Sequence, residues 1–163
     1  MVKGEKERDQ DSKARSVALR LLARREHSRL ELSLKLRQRQ LEQSVIDQVL
    51  DDYERHGWLD DQRFADIYAR QRVEQGYGPL RIQSELQQRG IHDSPACVCA
   101  MTDDDWIRKA VAIRQKKFGL APVNDKLDEK ARQARFLGRR GFSGSQVECA
   151  LAARASECWG DFP

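Results

Sequence analysis

Cysteine, proline and aromatic residues are scarce in this sequence, and long apolar runs are missing altogether. The 163 residues include 4 Cys, 4 Pro and 10 Gly, and aromatic side chains make up 7%. Cys97, Cys99, Cys149 and Cys158 show neither C-x-x-C spacing nor nearby histidines, which speaks against a disulfide framework or a zinc site; they read as small core residues in a reducing compartment. No stretch approaches the ~18 apolar residues of a bilayer span. The polar start Met1-Val2-Lys3-Gly4-Glu5-Lys6 lacks the apolar segment of a secretory signal, so the expected location is the cytoplasm. There is no glycine loop of the phosphate-cradling type and no nucleophile elbow, the usual signs of nucleotide hydrolysis or acyl transfer. His27, His56 and His92 stand at a helix junction, beside a terminating glycine and in a turn, and are read as turn or helix-end residues. No catalytic, cofactor-binding or metal-binding residue is assigned.

What the sequence has is an internal repeat. Leu36-Arg37-Gln38-Arg39-Gln40-Leu41 aligns with Leu86-Gln87-Gln88-Arg89-Gly90-Ile91 and with Leu137-Gly138-Arg139-Arg140-Gly141-Phe142. Downstream, Ile46/Ala96/Val147, Val49/Cys99/Ala150 and Leu50/Ala100/Leu151 keep the same register. A period of about 50 residues implies one supersecondary unit stacked several times, with a long contact surface suited to macromolecular partners. Each unit alone is too small for a robust core, so neighbours should support one another.

Apolar periodicity and caps predict nine helices in three sets. Residues 1–11 read as a charged, disordered leader, and repeat 1 spans 12–58. Its second helix opens at the S-x-x-E capping box Ser28-Arg29-Leu30-Glu31, with Leu32 and Leu36 as its apolar stripe, and its third carries Val45, Ile46, Val49, Leu50 and Tyr53 up to Gly57. Repeat 2 spans 59–101: Asp60-Asp61 begins its first helix, Gly78-Pro79 its second and Asp93-Ser94-Pro95 a short third. Repeat 3 spans 102–158, opening at Thr102-Asp103-Asp104-Asp105, with Ser143-Gly144-Ser145-Gln146 capping the last helix, and 159–163 form a tail. Gly90 and Gly141 end the second helices of repeats 2 and 3, where a left-handed residue is wanted; Gln40 takes that place in repeat 1. The expected fold is all-α, an elongated tandem array of three three-helix repeats.

The motifs His27-Ser28-Arg29-Leu30-Glu31-Leu32, Gly57-Trp58-Leu59-Asp60-Asp61-Gln62-Arg63-Phe64-Ala65, Gly78-Pro79-Leu80-Arg81-Ile82 to Gly90-Ile91, and Arg135-Phe136-Leu137-Gly138-Arg139-Arg140-Gly141-Phe142 together resemble the bacterial RecX family over residues 15 to about 155. The resemblance implies tandem three-helix repeats, no catalysis, and a regulator that binds the filament of the RecA recombinase on DNA; a monomer is expected.

The charge distribution suggests where a polyanion would sit. The formal net charge is +4, yet Trp106 to Arg140 alone holds 11 basic and 3 acidic residues, an excess that attracts nucleic acid or an acidic protein face. Arg132, Arg135 and Arg139 form a stripe at i, i+3 and i+7, with Lys116, Lys117 and Arg140 close by and Leu127, Ala131 and Ala134 expected on the opposite, core-facing side. These six cations are the candidate site, with the role of positioning phosphates without base readout. The rival reading is a helix-turn-helix nucleic-acid module that needs no RecA. Its third helices should present basic or amide groups to the major groove, whereas the first unit's third helix presents Asp47, Asp51, Asp52 and Glu54.

Overall fold

The computed structural model describes residues 3–155, and every regular element among them is helical: α1 Lys3–Leu22, α2 Arg29–Arg37, α3 Gln43–Arg55, α4 Asp61–Glu74, α5 Pro79–Gln87, α6 Ala96–Cys99, α7 Asp103–Phe118, α8 Leu127–Arg140 and α9 Gly144–Ala152. The expected tail 159–163 and the last residues of repeat 3, Cys158 included, lie outside the described residues. Helix α1 begins nine residues before Ser12, so most of the stretch read as a disordered leader is helical. Glu, Lys, Arg and Gln are good helix formers; Asp11 pairs with Arg15 at 2.9 Å, and Gln10 Oε1 accepts from the Glu42 amide at 3.1 Å.

The chain divides into two compact units, one holding Met1–Ile67 and Leu86–Asp93, the other Tyr68–Glu85 and Ser94–Pro163. In the first unit, Ala14 and Ala18 of α1 meet Leu32 and Leu36 of α2 and Val45, Ile46, Val49, Leu50 and Tyr53 of α3, with Leu41 and Leu59 closing the cluster. At ~2 kcal/mol per buried aliphatic side chain, this apolar set supplies the driving force for the unit. Ser28 caps α2 as expected, accepting from the Glu31 amide at 3.1 Å. The Glu31 carboxylate, however, pairs with Arg25 at 3.2 Å and Arg89 at 3.3 Å, and the Arg29 amide is taken by Asp61 Oδ1 at 2.6 Å.

In the second unit, Thr102 with Asp105 and Ser143 with Gln146 form complete capping boxes for α7 and α9. Its core differs from expectation on α8. The buried residues there are Gln133 and Leu137, while Leu127 is 79% exposed and Ala131 is exposed. The 3.6-residue period, anchored at Leu137, brings Gln133 inward. Gln133 is turned in by Arg114 of α7, which is fully buried. Its guanidinium donates to Gln133 Oε1 at 2.8 Å, to the Ala150 and Ala153 carbonyls at 3.0 Å each, and to the Ala121 carbonyl at 2.9 Å. One side chain thereby joins α7, the loop after it, α8 and the end of α9. The cysteines also depart from the core reading: Cys97 is half-buried, and Cys99 and Cys149 are exposed.

A repeated contact explains the two turn glycines. A Cβ on Gly90 (φ +78°) would stand 3.0 Å from Leu30 Cβ, and one on Gly141 (φ +95°) 2.3 Å from Arg81 Cβ. The second helix of one repeat thus starts against the turn that ends the second helix of the next. Gln40 has φ +60° and is exposed, so its turn carries left-handed strain without burying the side chain.

Candidate nucleic-acid interface

The Gly141 contact builds the floor of the basic face. The Gly78 amide donates to the Arg140 carbonyl at 2.8 Å and the Leu80 amide to the Gly141 carbonyl at 3.0 Å, so amides left over at the start of α5 meet carbonyls left over at the end of α8. Gly78 is required by proximity as well as by capping, since a Cβ there would lie 2.5 Å from the Gly141 backbone. Two arginines lace the same seam: Arg81 donates to the Arg139 carbonyl at 3.1 Å, and Arg140 to the Gln75 carbonyl at 2.9 Å.

Aromatic rings are set between the cations. Tyr77, between Gly76 and Gly78, has three guanidinium groups around its ring, from Arg72 at 5.0 Å, Arg81 at 4.6 Å and Arg140 at 4.9 Å. Arg140 also lies 5.4 Å from the Phe136 ring, whose centroid is 4.4 Å from Lys117 Nζ. Phe136 packs edge to face on Phe118 at 5.3 Å, and Arg132 stands 5.2 Å from Phe118. Each such contact is worth ~0.5–1 kcal/mol at an exposed site and fixes the cation's position as well.

The charges are unevenly compensated along this face. At the Tyr77 end, Glu85 accepts from Tyr68 Oη at 2.7 Å and pairs with Arg72 at 2.8 Å and Arg81 at 3.0 Å. Burial pushes the Glu85 carboxyl up, but these partners outweigh it and hold it below the usual range. Burial likewise opposes the charge on Arg72, yet Tyr68 and Glu85 keep its pKa above the ordinary value. At the α8 end, Arg132 pairs with Glu129 at 3.0 Å while staying largely exposed. Lys116, Arg135 and Arg139 are exposed and make no ion pair among the described residues.

All six sequence-predicted cations therefore fall in one compact unit, on the last turn of α7 and along α8. The structure ties Lys117, Arg132 and Arg140 together through Phe118 and Phe136, and leaves Lys116, Arg135 and Arg139 exposed, with no ion pair among the described residues. Sequence reasoning missed Arg72, Tyr77 and Arg81. The one available signal was the bulky Tyr77 held between two glycines.

Comparison with known proteins settles the family. Models of the RecX first, second and third three-helix domains match residues 14–52, 60–94 and 103–151. The chain belongs to the RecX family. A protein named Regulatory protein RecX from Halorhodospira halophila is 46% identical over 140 residues, covering 85% of this chain and 86% of its own length. The RecX of Acidithiobacillus ferrooxidans is 41% identical over 138 residues, covering 85% and 88%. Crystal structures share the fold. That of RecX from Lactobacillus salivarius covers 88% of this chain and 96% of its own at 22% identity, with a TM-score of 0.75. Another RecX crystal structure gives 0.76 over 90% of this chain and 74% of its own, also at 22% identity. Among the described residues, no helix is long and apolar enough to cross a membrane.

Proposed function

We propose that this RecX-family chain is a cytoplasmic binding protein, not an enzyme, that engages the RecA filament on DNA as a monomer and lowers its strand-exchange, ATPase and co-protease activities. Successive repeats touch successive RecA protomers, and the basic face of repeat 3 lies next to the bound DNA. A linked array gains avidity on a periodic polymer when its own spacing allows simultaneous engagement. The observation that carries the DNA side of this reading is the row of cations set among Tyr77, Phe136 and Phe118, with Lys116, Arg135 and Arg139 exposed beside it. Cations without partners gain most from phosphates, and aromatic rings hold the rest in place.

The test compares binding to preformed RecA filaments with binding to naked DNA at moderate salt. Much tighter binding to filaments is expected. Equal affinities, with a steep fall as salt rises, would support the alternative of a nucleic-acid-binding module without RecA dependence. Replacing Arg132, Arg135 and Arg139 together by alanine should weaken filament inhibition while the helical circular dichroism stays unchanged; undiminished inhibition would remove this face from the mechanism.

A further inference from the structure

Helix α8 carries two features that weaken it and that its own packing does not require. The first is Gly138. The glycines that end helices have positive φ, and Gly78 lies against the Gly141 backbone, whereas Gly138 is helical and exposed, and a Cβ there would meet nothing within 4 Å. Alanine would fit and would strengthen the helix, since glycine has more backbone freedom to lose. The second is charge. Arg135 and Arg139 are exposed at i and i+4 with no acid paired to either among the described residues, an arrangement in which like charges repel.

Both features fall on one strip. Ala131, Arg135, Gly138 and Arg139 follow one another at i, i+4, i+7 and i+8, all exposed, on the side of α8 opposite the buried Gln133 and Leu137. Small and cationic residues alternate along it, so the helix backbone is bare at Gly138, with one guanidinium a turn before it and another beside it. The last turn of a helix ordinarily repels anions, because its final carbonyls are unpaired. Here they are taken. The carbonyls of Gly138, Arg139, Arg140 and Gly141 accept from the Gly141 amide at 2.9 Å, the Arg81 guanidinium at 3.1 Å, the Gly78 amide at 2.8 Å and the Leu80 amide at 3.0 Å. The character left at this end of α8 is positive.

We propose that Gly138 is a point of closest approach for the phosphodiester backbone of a nucleic acid, gripped by Arg135 and Arg139. The missing Cβ selects the ligand. An aspartate or glutamate of a partner protein reaches an arginine on its own stem and gains nothing from bare helix backbone. A phosphodiester carries its charge in the chain itself, so that chain must come close for both guanidinium groups to engage it. Their planar forks match phosphate oxygens bidentately, and the contact carries no base readout. The site rests on the DNA side of the function proposed above and adds to it an uncharged residue at which folding and binding pull in opposite directions.

The test uses the full chain, a fluorescent single-stranded oligothymidine at low salt, and the substitutions Gly138→Ala and Gly138→Gln; glutamine stands at the equivalent place, Gln87, in repeat 2. Both variants should melt higher than the unchanged protein, by ~2–4 °C for alanine. Both should also bind the strand less tightly, glutamine by about tenfold, the scale of one charge-assisted hydrogen bond. Arg135→Ala with Arg139→Ala should lower the slope of log affinity against log salt by ~1.4. Unchanged affinity in both glycine variants, beside a weakened arginine variant, overturns the proposal and leaves the DNA face standing. No binding by the unchanged protein, or equal binding by the arginine variant, removes that face and the proposal with it. The proposal also falls if polyglutamate displaces the strand as well as unlabelled oligothymidine does at equal charge, which would give the strip to an acidic protein segment.

Discussion

Replacing Arg114 by methionine tests the account of how the second unit is held together. Methionine is similar in length and apolar, so the α7 packing survives while the guanidinium is lost. Four bonds go with it, to Gln133, Ala121, Ala150 and Ala153. The acceptors on Gln133, Ala150 and Ala153 stay buried, at ~1–3 kcal/mol each, while Ala121 is exposed. Against this gross loss stands the recovered cost of burying a cation without a carboxylate partner, several kcal/mol, a cost also visible in the lowered pKa of Arg114, whose cause is burial. Because the bonds outnumber the single charge by four to one, we expect a net loss of about 3 kcal/mol. Urea titration followed by Trp106 fluorescence reads it. Trp106 is buried in α7, and Trp58→Phe with Trp159→Phe leaves it as the single reporter. With m about 1–2 kcal/mol/M for a unit of this size, the midpoint should fall by ~1.5–3 M. An unchanged or higher midpoint would mean that the buried cation is a net liability, as in proteins where an apolar substitute is preferred, and the clamp would not stabilise the unit.

Alanine at three of the turn glycines should rank by what the new Cβ meets: Gly141 worst, at 2.3 Å from Arg81 Cβ, Gly90 next, at 3.0 Å from Leu30 Cβ, and Gly57 least, with nothing within 4 Å and only its φ of +71° to strain it. Thermal melts should show ~1 kcal/mol for Gly57→Ala and more for the other two; equal losses would refute the seam. Gln40→Gly should stabilise by up to ~1 kcal/mol through relief of the left-handed strain, and a lower melting temperature would count against it. Glu85→Gln should cost ~1–2 kcal/mol at neutral pH. Because the folded carboxyl titrates below its unfolded value of about 4.3, its contribution is fully present above that pH and disappears as pH falls through the folded value. The gap between the two proteins in urea midpoint should therefore close in acid, and a gap that stays constant down to pH 3 would exclude the Tyr68, Arg72 and Arg81 cluster as its source.

Much of this protein is written in local chemistry. The three repeats, the helix starts at Ser28, Thr102 and Ser143 and the stop at Gly141 follow from caps and apolar spacing, because a terminus is decided by the few residues that meet its unpaired amides or carbonyls. The excess of basic residues along α7 and α8 is equally plain in the sequence, as composition. Position in space is not. Gln133 reads as a surface residue until Arg114 reaches it from another helix, and Gly78 reads as a cap until Gly141 is seen against it. Tyr77 has no evident purpose until Arg72, Arg81 and Arg140 converge on it from three helices. Local sequence specifies which stretches become helices and where they end; which side chains meet across them arises only when distant segments pack, since contact energies depend on partners that sequence neighbourhood does not reveal.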